Sequence, residues 1–151
     1  IISWPGQYQQ GVVREALVEL TDLAPTLLAE AGVVAPERMQ GQSLAELLRG
    51  VTKADQHRDF VRSEFYHALS PVGRTHIHGT FATMYRNERY KLCVYHGLEA
   101  GELFDLQADP GEFVNLWDDA NAQSLKLDLM KRSFDATALA IDISTPFTTQ
   151  F

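Results

Sequence analysis

Apolar positions recur along this chain with two different periods, and the change from one to the other falls near residue 60. Leu27, Leu28 and Ala31 share one helical face, and Leu44, Leu47 and Leu48 repeat that spacing. Asp22 is expected to cap the first helix, with Pro25 in its opening turn and Gly32 at its end. Ser43, followed three residues later by Glu46, predicts a capping box for the second helix, which Gly50 stops. Ahead of both, Ile1–Trp4 reads as the end of a buried strand belonging to a sheet that is not present, Gln7–Gln10 as a polar loop and Val12–Leu20 as a rough alternation.

From Phe60 onward the period is two. Phe60, Arg62, Glu64 and Tyr66 alternate with Val61, Ser63 and Phe65, predicting a strand. Pro71, Gly73 and Gly79 make 70–80 a long loop. Phe81–Tyr85 and Tyr90–Tyr95 flank Arg86-Asn87-Glu88-Arg89 as a hairpin, and Glu102–Leu106 adds a fourth strand. Asp109-Pro110-Gly111-Glu112 then carries turn chemistry, with Gly111 expected at positive φ. A closing helix is predicted from about Asn121 to Ile141, its core stripe being Leu127, Met130, Phe134, Ala138 and Ile141. The fold class is α/β, an α+β piece with about four antiparallel strands packed by a C-terminal helix. The expected divisions are 1–55, 56–143 and an irregular tail over 144–151.

Composition narrows the function classes. The chain has 151 residues, 45% apolar and 22% charged, which is ordinary for a globular protein. A net charge of −7 argues against a nucleic-acid or anionic-membrane surface, and no apolar run is long enough to span a bilayer. A single cysteine excludes an internal disulfide and leaves the compartment open: periplasmic, secreted or cytoplasmic.

Three polar groups invite a chemical reading. Arg74, His76 and His78 are the candidate substrate contacts, because His-x-His on a strand puts both imidazoles on one face. A metal needs a third ligand, and none is close in sequence. Arg86, Arg89 and Lys91 form a cationic cluster that suits an oxyanion, yet Glu88, Glu102 and Asp105 stand ready to neutralise it. Asp22, Asp105, Asp109 and Glu112 match no calcium loop. Cys93 lies in an apolar strand and reads as an inert small hydrophobe.

As strings, four segments resemble the sulfatases of the alkaline phosphatase superfamily. Glu102-Leu-Phe-Asp-Leu-Gln-Ala-Asp-Pro-Gly-Glu-Phe-Val-Asn-Leu116 is similar to that family's C-terminal motif, with Phe104 where Tyr is usual. Leu20–Gly32 with Gly41-Gln42-Ser43-Leu44 and Leu48-Arg49-Gly50, the Met84–Leu92 hairpin, and Ile1–Gly6 with its Trp4-Pro5-Gly6 turn resemble three more, in family order. The resemblance implies hydrolysis of sulfate esters by a formylglycine nucleophile assisted by Ca²⁺. Neither the nucleophile motif nor the calcium ligands match positions here. The chain is therefore expected to be an inactive C-terminal portion, the edge of an alkaline-phosphatase-like catalytic domain plus a small subdomain. Its expected partners are the absent N-terminal catalytic domain and a sulfate-ester substrate, with a homodimer as another way to cover its exposed faces. A related phosphonate or phosphodiester hydrolase and a non-enzymatic interaction module are the alternatives.

Overall fold

A computed structural model describes residues 1–51, 56–66 and 81–140. The expected 70–80 loop, Ile141 and the 144–151 tail lie outside the described residues. The chain divides into two compact units, Ile1–Arg58 with the described residues from Thr137 on, and Asp59–Ala136.

In the first unit a 3-10 turn, Leu20–Asp22, runs into α1 (Leu23–Glu30), and a loop leads to α2 (Ala45–Arg49). Gly32 and Gly50 follow the two helices with φ of 69° and 76°, as their positions predict. Residues 1–4 and 12–19 pair with no described strand. One expectation is corrected. Leu27 is not a core residue but is 70% exposed, the buried positions of α1 being Pro25 and Thr26. The buried side of α1 thus includes the Thr26 hydroxyl.

The second unit is a four-stranded antiparallel sheet in the order β1 (Phe60–Tyr66), β2 (Phe81–Asn87), β3 (Tyr90–Tyr95) and β4 (Gly101–Asp105), followed by α3 (Gln123–Leu139). This is the α/β class that the alternation predicts. Register pairs Tyr85 with Leu92 and Leu92 with Leu103. These three, with Ala122 and Leu129 of the helical segment, make the core. Asn87 closes the β2–β3 hairpin, its Oδ1 accepting the N–H groups of Arg89 and Tyr90 at 2.9 and 2.7 Å.

The predicted stripe on α3 is on the wrong side. Leu127, Met130 and Phe134 are 66%, 36% and 75% exposed, whereas Leu129 and Ser133 are buried. Leu125 and Leu129, four residues apart, meet the sheet, so α3 carries two apolar stripes and packing selects the shorter one.

The segment after β4 is a folded clamp. Asp105 pairs with Arg89 and accepts from Gln107 N and Ala108 N, and Asp109 accepts from Val114 N at 2.8 Å. Positive φ falls on Glu112 (56°) rather than on Gly111, correcting that expectation. A Cβ on Gly111 would lie 2.2 Å from the ring of Phe113, an 89% exposed side chain free to swing away. Asn115 then returns to the free side of β4. Its Nδ2 donates to Gly101 O and its Oδ1 accepts from Leu103 N, both at 3.0 Å. The side chain supplies an edge strand with the partners a fifth strand would offer. Asn115→Ala is expected to cost about 1–3 kcal/mol, because the N–H of fully buried Leu103 loses its acceptor. A chemical-denaturation midpoint equal to that of the unsubstituted chain would contradict this role.

Candidate functional site

Arg74, His76 and His78 lie outside the described residues. Of the cationic cluster, Arg89 is paired with Asp105 at 2.8 Å and Lys91 with Glu112. Lys91 Nζ also sits 5.7 Å from the Phe104 ring centroid. Two of the three cations are therefore neutralised in place, and Glu112, not Glu102, takes Lys91. Arg86, opposite Lys91 across the strands, remains exposed. Glu102 accepts instead from the Tyr95 hydroxyl at 2.8 Å.

The best-built polar cluster lies in the first unit around Asp22, to which sequence reasoning assigned only a capping role. Asp22 is fully buried, and its carboxylate makes no cap bond within α1. It accepts from Glu19 N at 2.9 Å, Gln42 N at 2.8 Å and Arg58 Nε at 3.0 Å, while Arg58 Nη2 closes a second bond. His57 Nε2 faces it at 3.3 Å. Burial alone pushes the Asp22 carboxyl upward. The bonds from Arg58, Gln42 and Glu19 outweigh that and hold it at about 2. Thr26, one turn further on, donates to Asp22 O at 2.5 Å and accepts from Leu44 N at 2.8 Å.

Two side chains of one helix start therefore pin the loop 42–44, and Gly41 lets that loop approach. A Cβ on Gly41 would lie 2.0 Å from Thr21 O. The motif residues Asp22, Thr26 and Gly41 form one hydrogen-bonded junction. Nearby, Arg49 pairs with Glu30, the Tyr8 phenol is raised by burial and then by its bond to Glu30, and Gln9 N donates to Leu48 O at 2.9 Å. The Trp4-Pro5-Gly6 turn is thereby tied to both helices.

The arrangement offers little chemistry of its own. Among the described residues no group of three or more His, Cys, Asp or Glu can hold a metal ion. Each acidic candidate already has a partner: Asp22 with Arg58, Asp105 with Arg89, Asp109 with Val114 N, Glu112 with Lys91. The described residues thus do not fit calcium. Cys93 does not fit a nucleophile either, since burial, then the charge of Glu102, pushes its thiol up to about 11. Thr83 Oγ1 and His96 Nε2 are 3.0 Å apart, but no described carboxylate orients that imidazole. No described helix is long and apolar enough to cross a membrane.

The family model described as N-sulphoglucosamine sulphohydrolase, C-terminal, matches residues 1–138. The chain belongs to this family. A curated relative, the N-acetylglucosamine-6-O-sulfatase of Bacteroides thetaiotaomicron, is 28% identical over 87% of the chain, and arylsulfatase A of Bos taurus is 35% identical over 88%. Among solved structures, a phosphonate monoester hydrolase from Silicibacter pomeroyi superposes with a TM-score of 0.76 at 27% identity over 93% of the chain. The chain covers 23%, 30% and 28% of those three proteins respectively. In this chain the motif residues fall at the Asp22 junction, the Asn87 hairpin and the Asn115 clamp. All three are bonds that hold the fold.

Proposed function

We propose that this chain is the C-terminal part of a hydrolase of sulfate esters, and that it serves to complete the catalytic fold and line the substrate cleft. The reaction would be carried by a formylglycine nucleophile and Ca²⁺ held elsewhere in the protein, the calcium neutralising sulfate oxygens. The family match over residues 1–138 carries this reading. Its physical support is that Asp22, Arg49, Arg89, Lys91, Asp105 and Glu112 of the family motifs are held in ion pairs within the chain, as in a supporting part. An apolar row also stands ready for a partner: Leu20, Leu23 and Leu27, spaced as one helical face, are 87%, 41% and 70% exposed. The absent N-terminal catalytic domain is the partner we assign to it.

The test is sulfate release from glucosamine 6-sulfate by the complete polypeptide and by residues 1–151 alone. The complete protein should act and should lose activity when a chelator strips calcium. The 151-residue chain should release nothing, and sulfate release by it would overturn the reading. The likeness to the phosphonate monoester hydrolase favours a second reading, a phosphonate ester as substrate. A phenyl phosphonate ester hydrolysed faster than the sulfate ester would select it.

A further inference from the structure

The register lays out successive rows across the face of the sheet that Leu129 of α3 covers. Arg62, Tyr85, Leu92 and Leu103 share one row, Glu64, Thr83, Val94 and Gly101 the next, and Tyr66 pairs with Phe81 beyond them. The first of these rows is sealed, with Tyr85 4% exposed and Leu92 and Leu103 fully buried. In the next row the Trp117 ring lies against Gly101, where a Cβ would come within 2.2 Å of it. The last row emerges from this cover. Tyr66 is 49% exposed, and its ring lies 6.2 Å from that of Phe81, tilted by 36°. His96 N donates to Phe81 O at 2.7 Å, which brings the exposed imidazole beside the pair and onto Thr83 Oγ1. Glu64, also exposed, stands next to Tyr66 on the same face, with Arg62 Nη1 at 3.6 Å from its carboxylate.

We propose that Tyr66 and Phe81, rimmed by Glu64, Thr83 and His96, form a platform for an uncharged sugar ring of the substrate. This rests on the ester-hydrolase reading and adds to it the place where a sugar ring of the substrate packs. Sugar rings present a C–H face that packs on aromatic rings and a rim of hydroxyls that donate and accept hydrogen bonds. The cluster offers both, side by side. The Glu64 carboxylate accepts from hydroxyls and repels an anion, so the ring binds here and the ester group lies elsewhere. An apolar protein or lipid surface would take the Glu64 carboxylate and the Thr83–His96 pair out of water and leave their remaining hydrogen-bonding capacity unmet, which disfavours that occupant.

The experiment is steady-state sulfate release from glucosamine 6-sulfate by the complete polypeptide carrying Tyr66→Ala, Phe81→Leu or Tyr66→Phe. Tyr66→Ala should raise KM about tenfold with kcat held, the size of one lost aromatic contact. Phe81→Leu should shift KM in the same direction, and Tyr66→Phe should restore most of the loss. Unchanged KM in both deletions, or a fall in kcat alone, overturns the platform, as does Tyr66→Phe behaving like Tyr66→Ala. If the unsubstituted polypeptide releases no sulfate, the ester-hydrolase reading falls separately. Saturation-transfer NMR with N-acetylglucosamine then decides: ring-proton transfer that Tyr66→Ala abolishes keeps the platform, and no transfer removes it.

Discussion

Replacing Asp22 by Ala is expected to destabilise the chain by about 3–5 kcal/mol, the usual cost of breaking one side of a buried ion pair. The change leaves the Arg58 guanidinium, 11% exposed, without its carboxylate, and strands the N–H groups of Gln42 and Glu19. Asp22→Asn should cost nearly as much, because its amide N–H₂ would face donors already aimed at the site. The same carboxylate makes the stability depend on acid. Its folded value is lowered from 3.8 to about 2, so the unfolded chain binds the extra proton between those values. The stabilisation is present in full above about pH 4 and is lost as pH falls toward 2. It is worth roughly 2 kcal/mol. Denaturant midpoints measured from pH 5 to pH 2 should therefore fall more steeply for the unsubstituted chain than for Asp22→Asn. Parallel slopes would show that the carboxylate is not held by these bonds.

Gly41→Ala should be nearly as damaging, by about 3 kcal/mol, although it adds a single methyl group. The added Cβ would sit 2.0 Å from Thr21 O, a backbone atom that cannot swing aside. Relief requires the loop to move, and that movement withdraws Gln42 N from Asp22 and Leu44 N from Thr26 together. A matched Gly97→Ala change has open space around its Cβ and carries only the strain of its φ of 82°. Chemical denaturation of the two variants separates the causes. If Gly41→Ala melts like Gly97→Ala, close approach is not what this glycine provides.

The motif strings pointed to the correct family because their residues make obligatory bonds, yet their roles were only partly legible. Asp22 before Pro25 carries every local mark of a cap, and nothing within ten residues indicates that Arg58 will claim it. Gly111 beside Pro110 satisfies turn rules on its own, but Glu112 takes the positive φ. The neutralisation of Arg89 and Lys91 was foreseen in kind, because acidic residues flank the hairpin. Which acid meets which base depends on strand register and on the path of the clamp, so Glu112 rather than Glu102 reaches Lys91. Tyr66 and Phe81 are fifteen positions apart and become a pair only through the β1–β2 register.

By itself the sequence determined the period of each segment, and with it four strands in order, the helix ends at Gly32 and Gly50, and membership in a sulfatase family. Those properties are local, set by side-chain alternation, backbone freedom at glycine and contiguous motif strings. Tertiary structure alone decided which of two apolar stripes on α3 would be buried and that Asp22, at a helix start, would also be a junction to Gln42 and Arg58. It also decided that Asn115 would close the edge of β4. Each of those outcomes depends on groups far apart in the chain meeting at hydrogen-bonding or van der Waals distance, and a one-dimensional pattern carries no such distance.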